Sequence, residues 1–228
     1  MKPYYEDSYA QLWLGDSREM LPILPEFDLL LTDPPFGTED LGGGYGRRQN
    51  HDIGDGKGRV IVGDRDLSAA KEVLGIARGR IKQGWAMAFC APRRMPSMFE
   101  LLPDSSYHGE IIWDKGTPGL GYTVRYTHES ALLWKIGDAP QPERPLLSLV
   151  RMQVSHFETQ NRHPHEKPVA FWLNALNLPG DLVVDPFCGS GNLLRAAKDL
   201  RKRCIGIELE ERWCEQAARR LTQEVLPL

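Results

Sequence analysis

The sequence predicts an α/β fold, and four consecutive patterns in its C-terminal third carry that prediction. The apolar run 182–184 is typical of a buried strand. A turn that contains Gly189 and Gly191 follows, and the apolar periodicity of 192–200 then indicates a helix. A second short apolar strand, 204–207, comes next. A strand, a glycine turn, a helix and a strand in this order are typical of a nucleotide-binding α/β unit.

Two acidic residues stand at the ends of these strands. Asp185 follows the first strand and Glu208 ends the second, 23 positions further on (185 to 208). This is near the spacing of roughly 20 residues expected for an acid that binds ribose hydroxyls. Glycines in the turn allow positive φ and a close approach of the backbone to a ligand, and the helix start offers N–H groups to an anion. An ordinary β–α turn would also explain the glycines, so a function needs a second motif.

The second motif lies far upstream, at the end of the apolar run 28–32, and reads Asp33-Pro34-Pro35-Phe36. The exocyclic amine of a base is a poor nucleophile because its lone pair is delocalised into the ring. The Asp33 carboxylate and the Pro34 carbonyl can each accept one hydrogen bond from such an amine, and the prolines fix the carbonyl beforehand. Phe36 offers a ring face on which the base can stack. Alone, the tetrapeptide could be a rigid turn with an exposed acid.

Together the two motifs resemble those of the amino-group methyltransferases of nucleic acids, which use S-adenosyl-L-methionine (SAM). D-P-P-F at 33–36 is similar to that family's D-P-P-Y catalytic tetrapeptide, and D-P-F-C-G-S-G at 185–191 is similar to its SAM-binding motif. The catalytic motif comes first here, which resembles the permuted beta class. The resemblance implies one Rossmann-like methyltransferase domain over 1–228, with a mixed, mostly parallel, doubly wound sheet in permuted order.

The resemblance also implies the residues of the site. The expected catalytic residues are Asp33, Pro34, Pro35 and Phe36. The expected residues around SAM are Asp16, Asp33, His165, Lys167, Pro168, Asp185, Phe187, Gly189, Ser190, Gly191, Asn192 and Glu208. Asp16 has a second interpretation that is compatible with the first. An acid followed by Glu19 three residues later resembles a capping box, so Asp16 is also a candidate N-cap.

Contacts to nucleic acid depend on local basic patches, because the net charge of −3 does not itself indicate nucleic-acid binding. Arg47 and Arg48 lie in 37–66, a glycine-rich segment expected to be a mobile loop, which closes over a flipped base, reaches into DNA, or is a plain insertion. Arg93 and Arg94 follow a strand at 85–90, on the side where open α/β sheets bind ligands. Phosphate contact and ordinary solvated charge are both open for this pair.

The intervening segments are expected to complete the domain. The irregular segment 138–164 lies where the beta class places its target-recognition region. Amphipathic patterns predict helices from residue 67 to about 81, at 168–177 and at 211–224, and apolar runs predict strands at 10–14, 109–115 and 129–135. The tryptophans of the last two strands, Trp113 and Trp134, are expected in the core.

The composition indicates an intracellular globular protein. Hydrophobic residues make up 41% and charged residues 26% of the 228 residues, which are ordinary globular values. No apolar run approaches the roughly 20 residues of a membrane span, and the first residues lack a signal-peptide core. We therefore expect an intracellular, cytoplasmic protein, and the resemblance implies a prokaryotic or phage origin. The four cysteines show no C-x-x-C pairing, and reduced, mostly buried thiols are favoured over a metal site that includes His163 and His165.

The expected function is SAM-dependent methylation of an exocyclic base amine in DNA, at N6 of adenine. In the resemblance, D-P-P followed by an aromatic residue is typical of adenine enzymes and S-P-P of N4-cytosine enzymes. Phe36 in place of the commoner tyrosine keeps the stacking surface but removes a hydroxyl. The alternatives are an N4-cytosine enzyme, a methyltransferase of the same fold for RNA or a small molecule, and a nucleic-acid-binding protein that has lost catalysis. The intact Asp33 argues against the last, while the recognition sequence, a restriction partner and the oligomeric state stay open.

Overall fold

A computed structural model describes residues 2–36, 66–102, 104–119, 123–152 and 166–223. Three of the expected site residues, Arg47, Arg48 and His165, lie outside the described residues, as do 37–65 of the glycine-rich segment and 153–164 of the segment expected to recognise the target. The strands are β1 (Tyr5–Glu6), β2 (Ala10–Leu14), β3 (Leu29–Thr32), β4 (Gly84–Cys90), β5 (Ser106–Asp114), β6 (His128–Ile136), β7 (Leu149–Arg151), β8 (Leu182–Asp185) and β9 (Arg203–Glu208). The helices are α1 (Ser17–Met20), α2 (Ser68–Gly79), α3 (Met95–Met98), α4 (Val169–Ala175), α5 (Asn192–Asp199) and α6 (Glu211–Thr222).

The described strands form one mixed sheet of nine strands, in the order β1-β2-β9-β8-β3-β4-β6-β5-β7. The five central strands from β2 to β4 are parallel, β1 and β6 run antiparallel to their neighbours, and β7 is parallel to β5. The expected Rossmann-like, mostly parallel sheet is therefore confirmed. The carboxyl ends of the parallel strands meet at one edge of the sheet, where this class of fold binds ligands.

Helices cover both faces of the sheet, because the buried strands are apolar on both sides. Leu29, Leu31 and Val183 pack with α4, α5 and α6 on one face. Leu30 and Val184, each next in sequence to one of these residues, point to the other face and pack with α1, α2 and α3. This alternation with period two explains why β3 and β8 are continuous apolar runs in the sequence.

The chain changes direction between β3 and β8. From β8 it passes through α5 to β9 on one side, whereas from β3 it continues to β4 on the other side. A doubly wound sheet has a crevice at such a topological switch point, outside the carboxyl ends of the strands. Asp33 follows β3 directly and Asp185 is the last residue of β8, so the two motifs found in the sequence meet at this crevice.

Several details of the fold differ from the sequence-based expectation. β1 was not predicted because two residues give no periodicity, and β7 was not predicted because its three residues follow a proline-rich stretch. Trp113 and Trp134 are 3% and 1% exposed, so both are core residues as expected. The four cysteines are buried and unpaired. Among the described residues, no helix has both the length and the apolar character needed to span a membrane.

Candidate active site

The catalytic tetrapeptide begins where the buried strand β3 ends. All four residues of β3 are buried and Pro34 is buried too, while the Asp33 side chain is 19% exposed. The ammonium of Lys167 lies 2.5 Å from Oδ2 of Asp33. The same ammonium is 5.3 Å from the ring centroid of Phe36, so it contacts both ends of the tetrapeptide. The sequence predicted Lys167 beside the cofactor, whereas the structure shows it bound to the expected catalytic acid.

Lys167 belongs to a buried chain of alternating charges. Its Nζ lies 3.2 Å from Oε2 of Glu129, and the other oxygen of Glu129 is 3.2 Å from Nζ of Lys115. Burial alone would lower the pKa of Lys167, but the carboxylates of Asp33 and Glu129 outweigh burial and raise that pKa. Burial alone would raise the pKa of Glu129, but the two ammonium groups hold it below its ordinary value. Lys167 and Glu129 are therefore charged at neutral pH.

The glycine turn after β8 needs glycine for two different reasons. Gly191 has φ +78° and is the N-cap of α5, and a Cβ added there would lie 2.8 Å from Cβ of Ala217 in α6. Gly189 also has a positive φ, 51°, and its N–H donates to Oε2 of Glu208 over 2.9 Å. Other residues would strain the turn at both positions. The turn is thus held between the end of β9 and helix α6.

Asp185 and Glu208 are buried carboxylates that interact with neutral donors. Oδ1 of Asp185 accepts the Thr32 hydroxyl over 2.7 Å and the N–H of Phe187 over 3.1 Å. Burial raises the pKa of Asp185 to about 7, and the charges of Asp33 and Glu208 act in the same direction. Glu208 accepts the N–H groups of Gly189 and Glu210, yet burial still raises its pKa. In the part of the chain that the structure describes, no lysine or arginine forms an ion pair with either carboxylate.

A single cavity joins the two motifs. It has a volume of about 50 Å³ and lies at the switch point between β3 and β8. Its walls are formed by Asp33, Glu166, Lys167, Trp172, Asp185, Phe187, Cys188, Gly189, Ser190, Asn192 and Leu193. Asp33, the expected catalytic acid, and the glycine turn therefore open into the same space.

Arg220 and Glu166 support the glycine turn, and the sequence analysis did not identify either. The Arg220 guanidinium donates to the Ser190 carbonyl over 2.8 Å and lies 2.6 Å from Glu166. The Ser190 hydroxyl donates to Glu166 over 2.8 Å. Asn192, the first residue of α5, donates to the backbone carbonyl of Lys167 over 2.8 Å. Glu166 precedes Lys167 in the sequence and could have been suspected, but nothing distinguishes Arg220 from the other charged residues of α6.

The remaining site residues lie at the same edge of the sheet. Asp16 caps α1 by accepting the N–H of Arg18 over 2.9 Å, so its predicted N-cap role is confirmed. It also forms an ion pair with that arginine, and its contact with the adenine of SAM stays a prediction. Pro168 is the N-cap of α4, and its carbonyl accepts the N–H of Phe171 over 3.0 Å. Buried Ser17, next to Asp16, donates to the Pro186 carbonyl and so ties the end of β2 to the glycine turn.

Arg93 and Arg94 lie on a 3-10 turn directly after β4. This places them at the carboxyl edge of the sheet, next to the strand that carries Asp33, as the sequence predicted. Arg93 is exposed and Arg94 is half-buried. Their position suits contacts to a nucleic-acid backbone near the cleft, and those contacts stay a prediction.

Solved structures similar to this chain define its class. The structure of M1.HpyAVI in complex with SAM has a TM-score of 0.70 and 20% identity, and the match covers 94% of this chain and 100% of M1.HpyAVI. The PvuII DNA methyltransferase, described as cytosine-N4-specific, has a TM-score of 0.73 and 17% identity over 99% of this chain and 91% of that chain. The protein therefore has the fold of the SAM-dependent methyltransferases.

Sequence comparison finds similarity to one family. A family model of N6/N4 methyltransferases, described as DNA methylase, matches residues 112–219. The YubD protein of Escherichia coli (strain K12) is 27% identical over 218 residues, which are 91% of this chain and 88% of YubD. These similarities support the N6-adenine/N4-cytosine DNA methyltransferase family that the D-P-P-F and D-P-F-C-G-S-G motifs predicted. Members of this family use SAM as the methyl donor.

Proposed function

We propose that this protein methylates the N6 amine of adenine in DNA and that residues 1–228 act as one methyltransferase domain. One observation carries the proposal: Asp33 and Asp185 line the same cavity, although they belong to motifs at opposite ends of the chain. A catalyst of methyl transfer needs the acceptor amine and the methyl donor in one cleft. The switch point between β3 and β8 supplies that cleft.

The cofactor half of the cleft fits SAM. SAM, when bound, supplies a methyl group on a cationic sulfonium. Asp185 and Glu208 are buried acids whose pKa values are raised, so a cationic ligand that also offers ribose hydroxyls would relieve the cost of burying their charge. Glu208 is already fixed against Gly189, which suits it to accept the ribose hydroxyls. Phe187, Ser190 and Asn192 complete the wall on that side.

The catalytic half of the cleft fits a base amine. The Asp33 carboxylate accepts one N–H of the amine and the Pro34 carbonyl accepts the other, which aligns the nitrogen lone pair with the methyl group. SAM, when bound, would supply the methyl group to this aligned nitrogen, which would carry a positive charge until it loses one proton to water. A nearby carboxylate stabilises that developing charge. Phe36, half-buried at the margin of the core, provides the stacking face for a base flipped out of the duplex.

The choice of adenine depends on the resemblance of Asp-Pro-Pro-Phe to the adenine-type motif. A purine also offers more stacking area to Phe36 than a pyrimidine does. N4 of cytosine is the second candidate, because the PvuII enzyme has the same fold and is described as cytosine-N4-specific. Arg93 and Arg94 are proposed to contact phosphates beside the cleft, and Arg47, Arg48 and His165 to complete the site from outside the described residues.

The test is the identity of the methylated nucleoside. Purified protein is incubated with labelled SAM and unmethylated genomic DNA, and the digested nucleosides are analysed by mass spectrometry. We expect N6-methyladenine without N4-methylcytosine above background, and total RNA in a parallel reaction should remain unlabelled. N4-methylcytosine as the main product would overturn the adenine assignment but keep the mechanism. Label found in RNA alone would refute the DNA proposal.

A further inference from the structure

The burial and contacts of Lys167 indicate a role beyond contact with the cofactor. The whole residue is 3% exposed, and a buried ammonium is costly unless carboxylates surround it. Two carboxylates do so: Oδ2 of Asp33 at 2.5 Å and Oε2 of Glu129 at 3.2 Å. The ring of Phe89 lies 4.8 Å below the same ammonium. The ammonium is thus fixed from three sides, next to the acid that is expected to hold the substrate.

Glu129 is placed by the sheet itself. It is the second residue of β6, and its neighbour Ser130 pairs with Cys90 at the carboxyl end of β4. The antiparallel direction of β6 therefore brings its first residues, instead of its last, to the edge that carries the cleft. Glu129 is not among the described residues that line the cavity, and it reaches the cleft through Lys167.

We propose that Glu129 is a positioning residue for methyl transfer, which holds the Lys167 ammonium against Oδ2 of Asp33 and offsets the charge of that ammonium. This inference rests on the proposed function, since it assigns Asp33 to the target amine. The Lys167 contact fixes the plane of the Asp33 carboxylate before the base arrives. Preorganisation of this kind avoids reorganisation during the reaction.

The charge of Glu129 is as important as its geometry. The target nitrogen becomes positive as it takes the methyl group, and an isolated ammonium beside Asp33 would oppose that change. With Glu129 ionised, the three groups Asp33, Lys167 and Glu129 carry one net negative charge. Without Glu129, the Asp33–Lys167 pair is neutral and offers less stabilisation to the cationic nitrogen.

The pH dependence follows from the charged groups that face Lys167 and Glu129. These are Asp33 after β3, Asp185 at the end of β8, Glu166 beside Lys167, Lys115 after β5 and Glu129 on β6. The two carboxylates raise the pKa of Lys167 against the effect of burial. Without the Glu129 carboxylate, less negative charge offsets the effect of burial on Lys167, so the pKa of Lys167 should fall toward neutral pH.

The test compares Glu129→Gln with the wild type and with Asp7→Asn. Asp7 is a matched control because its side chain is 24% exposed against 23% for Glu129, and it forms an ion pair with Lys198 at the far edge of the sheet. At saturating SAM and DNA, Glu129→Gln should lower the single-turnover rate about 10- to 100-fold, the range found for supporting residues at metal sites. Calorimetric SAM affinity should change less than twofold, and Asp7→Asn should keep the wild-type rate.

Two further measurements separate this role from a merely structural one. The rate of Glu129→Gln should fall at alkaline pH, with its midpoint at a lower pH than in the wild type, and Glu129→Asp should recover part of the rate. An NMR titration of the Lys167 side chain, assigned with Lys167→Met, should show the same lowered pKa in the absence of SAM and DNA. Thermal unfolding confirms that each variant is folded.

The outcomes separate this inference from the proposed function. An unchanged rate in Glu129→Gln, an unchanged alkaline midpoint, or an unchanged pKa of Lys167 by NMR would each overturn the role of Glu129. Equal loss in Asp7→Asn would overturn it too, because the effect would then be general. A wild-type protein that transfers no methyl group to DNA would instead refute the proposed function, and this role with it.

Discussion

Two aspartates on adjacent parallel strands have opposite environments in this protein. Asp33, after β3, is ion-paired with the Lys167 ammonium at 2.5 Å. Asp185, at the end of β8, is 3% exposed and accepts hydrogen bonds from a hydroxyl and a backbone N–H. Burial raises the pKa of Asp185 to about 7. At the same edge of one sheet, Asp33 is therefore paired with a cation, whereas Asp185 has no such partner among the described residues and its pKa is raised.

Glu129 and Glu208, the glutamates of the two halves of the cleft, differ in the same way. Glu129 lies between two lysines, and its pKa is lowered despite burial. Glu208 accepts only backbone N–H groups among the described residues, and its pKa is raised. The half of the cleft around Asp33 thus contains the ammonium groups of Lys167 and Lys115, whereas Asp185 and Glu208 in the other half form no ion pair with a described lysine or arginine. This difference suits a substrate base that arrives neutral and a cofactor that arrives with positive charge.

The largest expected effect is a pH-dependent gain in stability from Asp185→Asn. The folded protein raises the pKa of Asp185 from 3.8 to about 7, so it binds this proton more tightly than the unfolded chain does. That stabilisation is complete below about pH 4 and is lost as the pH rises to about 7. At about 1.4 kcal/mol per pKa unit, the wild type should lose about 4 kcal/mol relative to the variant across this range.

The measurement is the free energy of unfolding by urea, without SAM, for both proteins between pH 4 and 8. Excess SAM should reduce the difference above pH 7, because a cationic ligand favours the ionised carboxylate of the wild type. A difference between the two proteins that stays constant with pH would show that folding does not raise the pKa of Asp185.

The next effect is on the rate of methyl transfer. Asp33→Ala should slow it by about 10²–10³ because one acceptor of developing charge is lost, a cost comparable to deleting an oxyanion-hole donor. SAM affinity should stay near the wild-type value. Asp33→Asn, which keeps the shape and one acceptor oxygen, should be nearly as slow if charge is what matters. An Asp33 variant that retained a tenth of the wild-type activity would show that Asp33 is not a catalytic residue. Unfolding curves control for any loss of stability caused by removing one ion-pair partner of Lys167.

The smallest effect concerns Glu208. Glu208→Ala should weaken SAM binding by about 1.5–3 kcal/mol, since it removes hydrogen bonds from a charged acceptor. DNA affinity without cofactor should not change. Asp33→Ala, in the catalytic half, should instead leave SAM affinity near the wild-type value and lower the rate. Glu208→Gln, which can still accept the N–H of Gly189, separates the ribose contact from support of the turn. Calorimetry that found unaltered SAM affinity in the Ala variant would exclude Glu208 from the cofactor site.

Much of the fold could be predicted because its central strands are short, apolar and followed by recognisable turns. β3, β8, α5 and β9 lie within one residue of the expected bounds. The positions of Asp33 and Asp185 followed from the same reasoning, since strand ends of a parallel sheet share an edge. The ion pair between Lys167 and Asp33 joins residues 134 positions apart, and no local pattern reports such a contact. The support of the glycine turn by Arg220 could not be predicted from the sequence either, because an arginine on an amphipathic helix is ordinarily a solvated charge.

The position of β2 in the sheet has a consequence for synthesis of the chain. Its parallel partner is β9, and Ala10 pairs with Cys204, which is 194 residues later (204 minus 10). A ribosome adds about 5–20 residues per second, so β2 waits roughly 10–40 s for that partner. β3 likewise waits for β8, which pairs Leu29 with Val183. The nascent chain therefore carries unpaired apolar strand edges through most of its translation, the condition under which chaperones protect a chain from aggregation.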